Sequence, residues 1–203
     1  SESPIDPNLI VIGTDDGLIQ ITENGGESWR KIDKIKGAPS QSYVNSVYLS
    51  QHDTNVIYAA FNHHKFGDFK PYMFKTKNYG ETWSKIVNGI PNNFFTRVLR
   101  ADPERKGLLY SGTESGVFIS FDDGLSWKSF QINLPLVPIT DMTIKNNNLI
   151  AATQGRSVWI IDDLTPLHQL NESNHKKDFH LFKPIDSYRM GYPSWGGTSA
   201  TQG

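Results

Sequence analysis

The chain has no cysteine, which excludes disulfides and thiolate-ligated metals alike. No apolar run approaches the roughly 20 residues that carry a helix across a bilayer, so membrane insertion by helices is not expected. Net charge is nearly absent as well, with 20 basic residues against 21 acidic ones among 203. That balance removes a general electrostatic case for binding nucleic acid or an anionic membrane surface. The opening residues 1–7 have neither the basic nor the apolar segment of a signal peptide, so the signal of an exported form is expected upstream. Gly-rich phosphate loops, a nucleophile elbow and zinc-ligand spacings are also missing.

What is present points to β structure. Hydrophobic residues make up 37% and aromatics 12%, with five Trp, a composition that suits pleated surfaces. The length supports one substantial core or two small ones.

One pattern occurs three times, at residues 22–29, 76–83 and 120–127. Each copy reads hydroxyl, any, Asp or Asn, any, Gly, any, hydroxyl, Trp. From Asn24 to Asn78 is 54 residues and from Asn78 to Asp122 is 44. A period of about 40 to 50 residues built from short strands is the signature of propeller blades. The longer first interval holds an insertion, placed in the irregular stretch 62–70.

Between these copies the apolar runs predict strands. Unit one has 9–13, 18–21 and 28–32, and nothing before Leu9 is long enough for a fourth. Unit two has 44–50, 56–61, 71–75 and 82–86; unit three has 96–101, 108–112, 117–120 and 126–130. Unit four has 139–144, 149–153 and 157–161, after which Leu164 and Pro166 break the pattern that begins at Asp162. Residues 178–183 are expected to form one more strand, the outer strand of unit four. From Tyr192 the composition of Gly, Ser, Thr and Pro predicts disorder. The expected fold is therefore all-β: a partial β-propeller of about four blades, two complete and two incomplete, over 1–167. A C-terminal extended tail, a strand and a linker, follows over 168–203.

The repeated pattern has a physical reading. Asn24, Asn78 and Asp122 sit where a short side chain accepts bonds from turn amides. Gly26, Gly80 and Gly124 supply positive φ. Trp29, Trp83 and Trp127 pack beneath the hairpins. Asp122 beside Asp123 invites a calcium or catalytic role, but the spacing supplies too few oxygen ligands for calcium. The satisfied-turn reading is adopted, and no metal or cofactor is expected.

With these residues in view, the chain resembles the Asp-box, or bacterial neuraminidase repeat, β-propellers. The likeness runs from Leu9 to Lys183 and extends to large bacterial proteins of glycosyl-hydrolase type and to sortilin-type propellers. It is carried by Gly13-Thr14-Asp15-Asp16-Gly17, by Val117 to Gly124 and by Trp159 to Leu167. The resemblance implies an exported protein, periplasmic or extracellular. It implies that this chain is part of a larger propeller, with the missing part of the ring as a partner; a four-bladed ring closed by the tail is the alternative. It further implies that the boxes are structural and lie on the face away from the ligand.

On the other face fall the loops between second and third strands. Asp15, Asp68 and Glu114 are the candidate acids for a glycosidase, which needs two carboxylates flanking the scissile bond. His63, Arg97 and Arg156 are candidate ligand-binding residues. His63 and His64 are adjacent, so in an extended segment they point apart instead of sharing a metal. The sialidase Arg-Ile-Pro signature is absent, and sialidase roles are not carried over. The expected function is a glycan- or protein-binding module, with an active glycoside hydrolase as one alternative and a sortilin-like peptide receptor as another. The Cys-rich segment usual after a sortilin propeller is missing.

Overall fold

The computed structural model describes residues 1–171, 173 and 177–186. They fall into two units, the first over 1–164 and the second opening at Thr165. The first unit is four antiparallel meanders, the four expected blades.

Blade one is β1 (Ile10–Gly13), β2 (Ile19–Thr22) and β3 (Arg30–Ile32). Residues 1–3 pair along β1 in the place of a further strand, with Ser1 and Val11 exchanging two hydrogen bonds of 2.8 Å. Blade two is β4 (Tyr43–Leu49), β5 (Ile57–His63), β6 (Asp68–Thr76) and β7 (Ser84–Lys85). Blade three is β8 (Thr96–Ala101), β9 (Leu109–Thr113), β10 (Gly116–Ser120) and β11 (Lys128–Ser129). Blade four is β12 (Ile139–Lys145), β13 (Asn148–Thr153) and β14 (Val158–Ile161). In blade three, β9 and β10 are buried along their whole length because a neighbouring sheet covers each face, so they read as unbroken rather than alternating segments.

The insertion in blade two is not the irregular loop expected from its polar residues. The ladder continues through it: β5 runs to His63, β6 restarts at Asp68, and those two residues pair across a single 3-10 turn at His64–Phe66. Polar side chains hold this extension where apolar ones would hold a core strand. Asn62, itself buried, bonds Asn45 on β4.

Successive blades pack one on the next, and the first strands β4, β8 and β12 lie side by side. Arg100 on β8 ties all three together. Its guanidinium reaches Ser46 Oγ (3.1 Å), Met142 O (2.7 Å) and Asp141 Oδ1 (2.7 Å). Two apolar clusters fill the first two seams, one around Val11, Ile19, Phe61 and Phe74, the other around Tyr58, Met73, Leu109 and Trp127.

The three repeated turns have one geometry. The first hydroxyl accepts from the Gly amide at 2.9 Å in each: Gly26 to Thr22, Gly80 to Thr76, Gly124 to Ser120. Oδ1 of Asn24, Asn78 or Asp122 accepts from the amide of the second hydroxyl residue at 3.0, 2.9 and 2.9 Å. The second and third turns also seat on the preceding blade. A Cβ on Gly80 would lie 2.7 Å from Ile32, and one on Gly124 would lie 2.9 Å from Ile86. Trp127 follows the same direction, its indole N–H donating to Ile86 O at 2.9 Å.

The second unit is described only in part. It opens with a short helix, α1 (Thr165–Gln169), and Gln169 exchanges hydrogen bonds of 2.8 and 2.9 Å with the Lys183 backbone. The strand expected at 178–183 does not form. Phe179 and Leu181, which would face a core together in a strand, are 79% and 80% exposed, so nothing drives the pairing. The tail from Tyr192 lies outside the described residues.

Candidate functional site

The site begins with a turn. Thr14 accepts the Val44 amide at 3.1 Å and so fastens the β1–β2 hairpin to the strand that opens blade two. Gly17, at φ +92°, makes that approach possible, because a Cβ there would sit 2.8 Å from Ser42 O. The Thr14 hydroxyl accepts from the Leu18 amide (3.1 Å) and also bonds Asp16. This leaves Asp15 and Asp16 exposed beside Tyr43.

From the other side comes the extended β5–β6 hairpin. His63 stacks on Phe66 with ring centres 4.4 Å apart, while His64 turns the opposite way and stacks on Phe95 at 4.8 Å. The Lys65 ammonium lies over the Tyr43 ring, 5.7 Å from its centre. Together Asp15, Asp16, Gln41, Tyr43, Asn62, His63, Lys65 and Phe66 line a hollow of about 240 Å³ at the seam of blades one and two. A second hollow of about 300 Å³ shares Asp16 and Gln41 with it and extends along the 33–41 link.

The other candidates are committed elsewhere. Glu114 is ion-paired with Arg97 at 2.6 Å, and the Arg97 guanidinium lies over Phe95 at 5.1 Å. Asp68 accepts the Tyr72 hydroxyl at 2.7 Å and the Lys70 amide at 3.1 Å. Burial of the Asp68 carboxyl works against its charge, but those hydrogen bonds, with the charges of Lys70 and His63, outweigh it and hold it below the usual carboxylate range. Tyr72 is pushed up to about 12, by burial first and then by its bond to the Asp68 carboxylate. Arg156 is exposed at the tip of the β13–β14 hairpin, where its carbonyl accepts from Trp159. Asp15 and His63 thus share one hollow, Asp68 pairs with His63 in the ladder but does not line that hollow, Arg97 and Glu114 form a pair, and Arg156 stands apart.

Reading the sequence missed Tyr43, and it gave Lys65 and Phe66, within the inserted segment of the ligand face, no role of their own. Their signal was an aromatic residue at a polar blade junction and another in a polar turn, neither of which belongs to a core. It also missed Asp123, which does not act with Asp122. Asp123 reaches blade two, bonding the Tyr58 hydroxyl (2.8 Å) and forming an ion pair with buried Lys75. Burial lowers the Lys75 pKa, with the Asp123 charge opposing it.

No protein-family model matches the chain, and no curated protein matches it. Solved structures do. YCF48 bound to D1 peptide superposes with a TM-score of 0.59 at 18% identity, over 79% of this chain and 50% of that one. The GH74 xyloglucanase of Xanthomonas campestris gives 0.58 at 13%, over 78% and 28%. The extracellular domain of BT4673 from B. thetaiotaomicron gives 0.58 at 17%, over 79% and 20%. These are β-propeller proteins. The fold of this chain is a partial β-propeller. It spans half the length of the YCF48 chain, 28% of the xyloglucanase and 20% of the BT4673 domain.

Proposed function

We propose that the chain is a ligand-binding module of an Asp-box β-propeller, from an exported protein of glycosyl-hydrolase type, and that its ligand is a glycan or a protein segment. The observation that carries this reading is the seam hollow, where two carboxylates, two exposed aromatic faces and a histidine converge on the face opposite the repeated turns. Aromatic faces stack on sugar rings or peptide side chains, and the carboxylates and amides fix orientation. The similar structures include a peptide-bound protein and a xyloglucanase, which makes both ligand classes worth testing.

Binding is favoured over hydrolysis by this chain. A glycosidase needs one carboxyl protonated at working pH, whereas Glu114 is ion-paired and Asp68 is held as an anion. Further blades are proposed to complete the ring. Trp29 is 39% exposed where its equivalent Trp127 is buried against the preceding blade, and Val158 and Ile160 of β14 are exposed as well. The blades are assigned to 1–167, with the remainder a linker.

A glycan and peptide array probed with the 203-residue chain tests the function. Tyr43→Ala and Phe66→Ala are expected to abolish signal for whichever class binds. Retention of signal in both variants removes the seam hollow from the account. If the full-length protein hydrolyses a glycan, Glu114→Gln is expected to leave turnover unchanged.

A further inference from the structure

We infer that the seam hollow receives a cationic side chain of a peptide, arginine in preference to lysine, which displaces Lys65 from the ring of Tyr43. The inference rests on reading that hollow as the ligand site and narrows what enters it.

The hollow is rich in acceptors. Asp15 and Asp16 are exposed, and among the described residues neither has an ion-pair partner. His63, which lines the hollow, also carries a buried Nδ1 with no hydrogen-bond partner, a spare acceptor when the ring holds its proton on Nε2. An anionic ligand would meet two uncompensated carboxylates and is disfavoured. The size is also informative. At about 240 Å³ the hollow by itself is smaller than the roughly 300–1,000 Å³ that encloses a drug-sized ligand, so it suits one side chain, and the adjoining hollow of about 300 Å³ along the 33–41 link leaves room for its peptide neighbours.

Lys65 shows what charge the hollow accepts. Its ammonium already takes the cation position above the Tyr43 ring, yet it makes no ion pair with the nearby acids. It sits on a single exposed turn between the paired residues His63 and Asp68, so its side chain can swing away without disturbing the ladder. Arginine is the better competitor. A planar guanidinium stacks on an aromatic face, here Tyr43 or Phe66, and its five donors suit paired carboxylates. The resident lysine then acts as a competitor that lowers the affinity of the free site.

The test is an NMR titration of the 203-residue chain with acetyl-Gly-Arg-Gly-amide and with the citrulline peptide, which has the same shape without the charge. Shifts are expected at residues 15–16, 41–43 and 63–66 with arginine, and binding at least about tenfold weaker with citrulline. Lys65→Met is expected to tighten arginine binding about 2–5-fold, the worth of an exposed cation–π contact. Asp15→Asn with Asp16→Asn is expected to weaken it about tenfold. Equal binding of the two peptides, an unchanged affinity in Lys65→Met, or no shift in either protein overturns the inference. A positive array with a negative arginine titration retains the ligand site and rejects its cation selectivity; failure of both rejects the site.

Discussion

At the scale of single residues, Asp122 can be compared with Asn24 and Asn78, which fill the same position in the other two turns. All three accept the same amide through Oδ1, and the second side-chain atom also meets the second hydroxyl. Asn24 and Asn78 donate to Ser28 and Thr82 at 2.9 and 3.0 Å, whereas Asp122 accepts from Ser126 at 2.5 Å. Asn is therefore a competent substitute, and Asp122→Asn is expected to change stability at pH 7 by less than about 1 kcal/mol. Asp122→Ala removes the acceptor and is expected to cost about 1–2 kcal/mol. The two forms should part in acid. Burial opposes the Asp122 charge, but hydrogen bonds from Ser126 and Ser120 hold its pKa below the usual value. A depressed carboxylate stabilises the fold above its unfolded pKa of about 3.9 and loses that contribution as pH falls through the folded value. Urea midpoints measured from pH 5 down to pH 2 are expected to fall more steeply for wild type than for Asp122→Asn; parallel curves would contradict this.

At the scale of elements, the second and third repeated turns act as clasps between blades, and two comparisons test that role. Lys75 is buried on β6 and Asp123 is about a third exposed, so their ion pair is asymmetric. Asp123→Ala strands a buried ammonium and is expected to cost about 3–5 kcal/mol, whereas Lys75→Met leaves a carboxylate that water can reach and should cost much less. Equal losses in chemical denaturation would show that the pair is not buried as described. The tryptophans give the second comparison. Trp127 lies inside the seam of blades two and three, while Trp29 has no blade against it in this chain. Trp127→Ala is expected to cost about 3–5 kcal/mol, and Trp29→Ala a small fraction of that.

These elements also show how much the sequence could reveal. The turns were legible because their hydrogen bonds are local, closed within a few residues by side chains whose identity is restricted. The Asp123–Lys75 clasp was not, because its partners are 48 residues apart and only packing brings them together. The β5–β6 extension was misread for a related reason. His63, Lys65 and Asp68 look like loop residues, but the strands beneath them fix the register and carry the ladder outward.

At the scale of the molecule, blade order decides which loops share a face. Asp15 and His63 could be nominated separately, since turns favour Asp and an insertion favours function. That they share a hollow with Tyr43 and Phe66 follows only from the docking of the Thr14 turn on Val44 and from the length of the second hairpin. The same order places the three repeated turns on the opposite face, away from the candidate acids. This division of the two faces is the central claim. It is tested most directly by hydrogen exchange on the 203-residue chain, with and without the strongest ligand from the array. Protection is expected at residues 14–17, 41–43 and 62–67, with 22–29, 76–83 and 120–127 unchanged. Protection of the repeated turns, with none at the seam, would contradict it.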